Sequence, residues 1–224
     1  MKIGFEIRLW RINMKFARFV LLIALVFALF GTTQPAQAVI YTYTSGYQVQ
    51  NLSGTGANIN ITYYSQQTST NGTTGGDVVT TATDTIASLG SKTYFPIHVS
   101  TGFSGSVVIS SDQPLASIVN LVVTGIGNAS YIGASSGSGT MYLPLLMKGN
   151  AGITTWYTLQ NVGASNATVN VTYSDGTTRG PVTIKPNASF VYDQGTETHP
   201  LKVFAATIAS SQPNLDAYAI VPDL

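Results

Sequence analysis

The sequence predicts an all-β protein: two tandem antiparallel Ig-like β-sandwich domains behind a cleavable signal peptide. Three observations lead there. Apolar residues recur at every second position through most of the chain. A phrase of 17 residues is written twice. The N-terminus joins basic residues to a short apolar run that ends in small residues.

The period of two is clearest in "NINITYY" and "TVNVTYS". Ile59, Ile61 and Tyr63 face one side and Asn60, Thr62 and Tyr64 the other; Val169, Val171 and Tyr173 repeat the inward set. Alternation rich in Thr, Val, Ile and Tyr, broken every 8–12 residues by Gly, Pro, Asn and Ser, describes half-buried strands joined by turns. It places strands near 41–50, 58–64, 77–86, 92–98, 105–110 and 115–124, then near 141–147, 154–161, 167–173, 180–185, 188–192, 202–209 and 215–221. No stretch after the leader has the 3.6-residue period of a helix.

The repeated phrase is "YQVQNLSGTGANINITY" (47–63) and "YTLQNVGASNATVNVTY" (157–173). At an offset of 110 they share Tyr47/Tyr157, Gln50/Gln160, Asn51/Asn161, Ala57/Ala167, Asn60/Asn170, Thr62/Thr172 and Tyr63/Tyr173. Composition alone predicts about one identity over such a length. A fixed-offset match of this kind is an internal duplication. Downstream the offset falls to 98 at "IASLGSKTY" against "IKPNASFVY", because insertions enter the loops. Copy one makes its crossing after Tyr63 through the long loop "YSQQTSTNGTTGGD", copy two through the short "SDGTTRG", where Asp175-Gly176 suits a tight turn. Copy one is therefore assigned to 39–124 and copy two to 140–224. The Gly/Ser-rich stretch 125–139 reads as a flexible linker.

At the N-terminus, Lys15 and Arg18 precede the apolar run Phe19–Phe30, and "AQA" (36–38) follows. This is the order of a signal peptide, with cleavage expected before Val39; Met14 is a second candidate start. The run is too short for a bilayer, which needs about 20 residues, so no membrane span is expected after cleavage. The remaining chain carries five basic and eight acidic residues. No basic patch is left to attract nucleic acid. There is no cysteine, so an exported chain of this kind is held by its core without disulfides.

Chemistry is sparse. His98 and His199 are the only histidines, both just before a strand, and read as structural. "GFSGS" lacks the following helix that a nucleophile elbow requires. The acids are scattered singly and no metal-ligand spacing occurs. The expectation is a non-enzyme with no metal and no cofactor. Two binding modes stand out. Tyr41, Tyr43, Tyr64 and Trp156 are candidate stacking platforms for extracellular polysaccharide, although tyrosine is also an ordinary strand residue. The uncharged segment Val39–Gln50 is a candidate for strand exchange between copies, because it has neither the charge nor the proline that protects an edge.

"YLPLLMKG" leading into "WYTLQNVGASNATVNVTY", and "GFSGSVVISSDQPLASIVN" closing copy one, resemble tandem β-sandwich repeats of secreted Chloroflexota surface proteins. The resemblance covers nearly all of the chain after the leader. It implies a sandwich fold and a cell-surface location, and it brings no catalytic residues. The chain departs from the repeat where "VIYTYTSG" stands in place of "YLPL", and where "LKVFAATIASSQPNLDAYAIV" stands in place of the "GF-x-GS" ending. The expected function is an exported structural or adhesive protein, a component of a surface layer, sheath or filament. A carbohydrate-binding module is the alternative.

Overall fold

The computed structural model describes residues 43–123 and 127–220, with side chains through Leu215. The expected signal peptide and Tyr41 lie outside the described residues. These residues form strands and no helix: β1 (Tyr43–Asn51), β2 (Ala57–Ser65), β3 (Val78–Ile86), β4 (Ser91–Tyr94), β5 (Gly105–Ser111), β6 (Leu115–Val123), β7 (Gly127–Ile132), β8 (Thr140–Met147), β9 (Trp156–Asn161), β10 (Ala167–Tyr173), β11 (Thr178–Ile184), β12 (Ser189–Asp193), β13 (Val203–Ser210) and β14 (Leu215–Ile220). None of the described residues forms a helix long and apolar enough to cross a membrane.

The strands make four antiparallel sheets, ordered β4-β1-β6-β7, β3-β2-β5, β12-β9-β14 and β11-β10-β13-β8. The first two enclose one apolar cluster, which includes Tyr47, Val49, Ile59, Ile61, Tyr63 and Ile86. The last two enclose a second, larger cluster, which includes Leu146, Tyr157, Leu159, Val169, Val171 and Ile208. This is a β-sandwich-like architecture. The alternation dictates it: in β10, "ATVNVTY", burial switches at every residue, because successive side chains leave a pleated strand on opposite faces.

The duplicated phrase acquires a physical meaning here. Tyr47 and Tyr63 join hydroxyls at 2.7 Å, and Tyr157 and Tyr173 do so at 3.0 Å. Tyr94 stacks on Tyr47 and Tyr192 on Tyr157, each with ring centroids 4.9 Å apart. The two hydroxyl pairs satisfy the polar ends of four phenols that fill the core, whereas the Tyr192 hydroxyl is buried with no partner. The duplicated Asn51 and Asn161 are fully buried and wired alike. Asn51 donates its amide to the carbonyls of Thr55 (2.7 Å) and Ala87 (3.1 Å) and accepts from the N–H of Ser53 at 2.9 Å. Asn161 donates to Ser165 (2.8 Å) and Ile184 (3.0 Å) and accepts from the N–H of Gly163 at 3.0 Å. Each asparagine pins its own loop to the end of the neighbouring sheet.

Within the stretch read as a linker, residues 127–132 form β7 and pair residue for residue with β6. Asn120 accepts the Ser130 hydroxyl at 2.7 Å across that pair. The small residues reflect crowding: a Cβ on Gly137 would lie 2.5 Å from the backbone of Asn214. The inserted loop of copy one is a second connection. It bridges in parallel from Gln66 to Ser189 and from Asn71 to Thr183. Gln67, fully buried, donates to the carbonyls of Ser69 (2.6 Å) and Thr183 (2.7 Å) and accepts from the N–H of Lys185 at 3.0 Å. The loop folds back tightly enough that a Cβ on Gly75, at φ +74°, would lie 2.5 Å from Gln67 Cα. Residues 66–76 are thus a strap from copy one onto β11 and β12 of copy two.

The strand exchange expected of Val39–Gln50 is not what its described part does. β1 pairs with β6 along its whole length and with β4 over Tyr47–Gln50, all within the chain. Residues 39–42 lie outside the described residues.

The wiring separates two kinds of repeated asparagine. Asn51→Ala or Asn161→Ala orphans buried carbonyls and N–H groups and is expected to cost on the order of 3 kcal/mol. Asn60→Ala or Asn170→Ala, at solvent-exposed positions, is expected to stay within about 0.5 kcal/mol. Equal losses in denaturant unfolding would contradict the assignment.

Gln67→Ala leaves the Lys185 N–H and the Thr183 carbonyl without their partner, at about 2 kcal/mol. It is expected to speed amide exchange at Lys185 and proteolytic nicking between 66 and 76. Unchanged exchange there would show that the strap is held by something else.

Candidate functional site

Of the four aromatics expected to form a platform, the structure brings two together. Tyr43 opens β1 and Trp156 opens β9, and their rings meet edge to face, with centroids 6.4 Å apart and planes at 82°. Tyr43 is 48% exposed and Trp156 half-buried. They come from different copies, so the pair exists only because the copies are fixed against each other. Tyr64 is half-buried and elsewhere, paired in its sheet with Val78 and Ser106. An edge-to-face pair is a preferred aromatic arrangement. It presents the two ring faces in different directions, unlike a coplanar platform.

A shallow groove of about 650 Å³ crosses the outer face of the β3-β2-β5 sheet, lined by Asn58, Asn60, Thr83, Thr85, Ser110 and Asp112 among others. One of the repeated outward asparagines, Asn60, therefore sits in a polar furrow. Its walls are held in place: Asp112 accepts from the N–H and the side-chain amide of Asn58 at 2.8 and 2.7 Å, which lowers its carboxyl below the ordinary value. Asp84, also on the groove, accepts from Lys92 Nζ at 2.6 Å and from the Tyr94 hydroxyl at 3.2 Å. The Lys92 ammonium, then the N–H of Thr85, lowers the Asp84 carboxyl. The groove has hydroxyls and amides for a polar ligand and no aromatic wall.

The acids read as scattered singly are in part gathered. In copy two, His199 Nδ1 lies 2.8 Å from Asp175 Oδ2, with both side chains almost wholly buried, and His199 Nε2 lies 3.7 Å from Glu197. Tyr157 donates to Tyr173, and Tyr173 donates to Glu197 Oε2 at 2.8 Å. Arg179 approaches Glu197 at 3.6 Å, and Lys148 donates to the Glu197 carbonyl. The His199 ring stacks on Phe204 with centroids 4.0 Å apart and meets Tyr173 edge-on. Thr177 donates its N–H and its hydroxyl to Asp175 at 3.0 and 2.6 Å.

This cluster has the residue types of a catalytic centre and the burial of a brace. Proton transfer to a substrate needs the base within reach of it, and the His199 side chain is 1% exposed. The cluster ties the Asp175 turn to the loop before β13. Its only sequence trace was the placing of Asp175 in a tight turn and of His199 before a strand. Copy one builds that corner differently, with the His98 N–H donating to the Tyr63 hydroxyl at 3.3 Å. Comparison with models of known families, with curated proteins and with solved structures finds no match.

The buried groups set the pH limits of the fold. Burial pushes the Asp175 carboxyl up, but the bonds from Thr177 and His199 outweigh it and leave it below its ordinary value of 3.8. A carboxyl lowered in the folded state stabilises above that value, and the gain disappears as pH falls through the folded value. Burial pushes the phenols of Tyr47, Tyr94, Tyr157, Tyr173 and Tyr192 well above 10.0. A raised phenol contributes fully below the unfolded value and loses that contribution as pH rises past it. Stability is therefore expected to be level from mildly acidic to mildly alkaline pH. It should fall below about pH 4 and again above about pH 10. Asp175→Asn should flatten the acid limb, and the five phenols should ionise together with unfolding when followed by phenolate absorbance. Their ionisation in a still-folded protein near pH 10 would refute this.

Proposed function

We propose that the protein is an exported, non-catalytic component of the cell surface. In this reading two tandem Ig-like β-sandwich domains form a structural or adhesive unit of a surface layer, sheath or filament. The observation that carries it is the strap. A unit that spaces or anchors other molecules needs its halves in fixed relation, and Gln67 and Thr70 of copy one bond directly to Thr183, Lys185 and Ser189 of copy two. The use of His199, Asp175 and Glu197 as an internal brace supports a role other than catalysis. The N-terminal pattern and the scarcity of charge support export and assembly.

A second reading, carbohydrate binding, is favoured by one observation: the exposed Tyr43 beside Trp156. Two measurements separate them. Cell fractionation with imaging is expected to find the protein outside the cell in ordered assemblies formed without added sugar; a cytoplasmic, unassembled protein would overturn the first reading. Retention on insoluble polysaccharide that drops about tenfold or more in Trp156→Ala would establish the second.

A further inference from the structure

The two copies place their strands alike but differ at two edges: β7 is added beside β6 in copy one, and β8 beside β13 in copy two. In copy two, β13 lies between β10 and β8. In copy one the equivalent strand, β5, has β2 on one side and, among the described residues, no strand on the other. The equivalence follows from the repeat: Tyr63 pairs with Val107 and Ile61 with Ile109, as Tyr173 pairs with Ala206 and Val171 with Ile208.

The missing neighbour shows in the core. β8 runs antiparallel to β13 and adds Leu143 and Leu146 to the second cluster, with Met141 packed against it. There Ala206 and Ile208 are 3% and 0% exposed. Their counterparts Val107 and Ile109 remain half-buried at the margin of the first cluster. The edge is also undefended: "GSVVISS" (105–111) has no charge and no proline, the usual devices against strand addition.

We propose that the free edge of β5 binds an extended strand from another polypeptide chain, with the chemistry of β8. That strand is uncharged, runs antiparallel to β5, and carries large aliphatic residues at alternating positions that cover Val107 and Ile109. Backbone hydrogen bonds along the edge supply affinity and the alternating side chains supply selectivity. This deepens the assembly reading and rests on it for the existence of a partner chain. The edge itself is tested on the isolated protein, so failure of one does not entail failure of the other.

The probe is a labelled synthetic peptide of residues 138–147, "SGTMYLPLLM", titrated onto the purified full chain. Saturable one-to-one binding is expected, with slowed amide exchange at 105–111. The same peptide carrying Met141→Lys and Leu143→Lys, the positions opposite Ile208 and Ala206 in β13, is expected not to bind. Val108→Lys, on the outward row opposite Thr62, puts a charge on the edge and is expected to weaken binding about tenfold or more while leaving the thermal transition in place. Four results would overturn the proposal. One is no binding by a monomeric protein. Another is protection confined to 203–210, which means that the peptide displaces β8. The third is β5 amides already protected in the free monomer, which means that the chain's own N-terminal residues cover the edge. The last is a dimer that Val108→Lys dissociates, which means that the occupant is the β5 of a second copy.

Discussion

A carboxamide removed from water gives up its hydrogen bonds to water, and each group left unpaired costs about 1–3 kcal/mol. Asn51, Asn161 and Gln67 are all fully buried, and each meets this demand with backbone groups from segments that would otherwise be free to move. A chain with no cysteine and 8% charged residues has few other means of fixing its loops. The geometry is demanding in return: the amide satisfies its partners only if the loop and the sheet end meet at hydrogen-bonding distance. The three amides therefore specify where corners go, while the apolar clusters supply the bulk of the stability.

The alternation was legible in the sequence because a strand with one buried face writes its period directly into the residues. Val169, Val171 and Tyr173 could be placed on the inner face without any structure. The role of Asn51 and Asn161 was not legible, although both stood in the repeated phrase. A buried asparagine and a turn asparagine look the same until the carbonyls around them are known. Asn60 and Asn170 are poor strand formers inside strands, yet both face solvent; Asn60 lines the groove, and nothing in the structure explains why Asn170 repeats it. Within 125–139, residues 127–139 are ambiguous in sequence for a related reason. Small residues signal flexibility when they face water and close approach when they face backbone, and Gly137 beside Asn214 is the second case. Tyr43 and Trp156 were singled out one by one, but that they touch depends on how the copies are fixed, which no local pattern encodes.

Copy two shows how titratable residues serve as framework. Asp175, His199, Glu197 and Tyr173 form a continuous set of hydrogen bonds and close contacts around the Phe204 ring. Removing such groups from water is costly, and pairing offsets part of that cost; His199 Nε2 is buried without a hydrogen-bond partner. The turn that carries Asp175 is short, and that shortness brings its carboxylate under the His199 ring. Copy one spends the same crossing on the strap, so its corner has no counterpart of Asp175. One crossing loop, in two lengths, braces a single sandwich in one copy and couples two in the other.

The same asymmetry bears on the edges. Duplication gives each copy the same set of sheet edges, but the covering strands differ. β7 extends the sheet of copy one beside β6, and β8 extends the opposite sheet of copy two beside β13. β7 comes from the stretch between the copies and β8 opens copy two, so each copy gains on a different sheet. For copy two the gain closes the core completely, since Ala206 and Ile208 lose almost all contact with solvent. For copy one it leaves β5 as a half-covered margin of the apolar cluster. Each apolar residue brought fully out of water contributes about 1.5–3 kcal/mol. A strand laid along β5 would collect the remaining part of that gain at Val107 and Ile109, already half-buried, together with the edge hydrogen bonds. The pairing of β8 with β13 shows that this chain's own pleat and register accommodate such a strand.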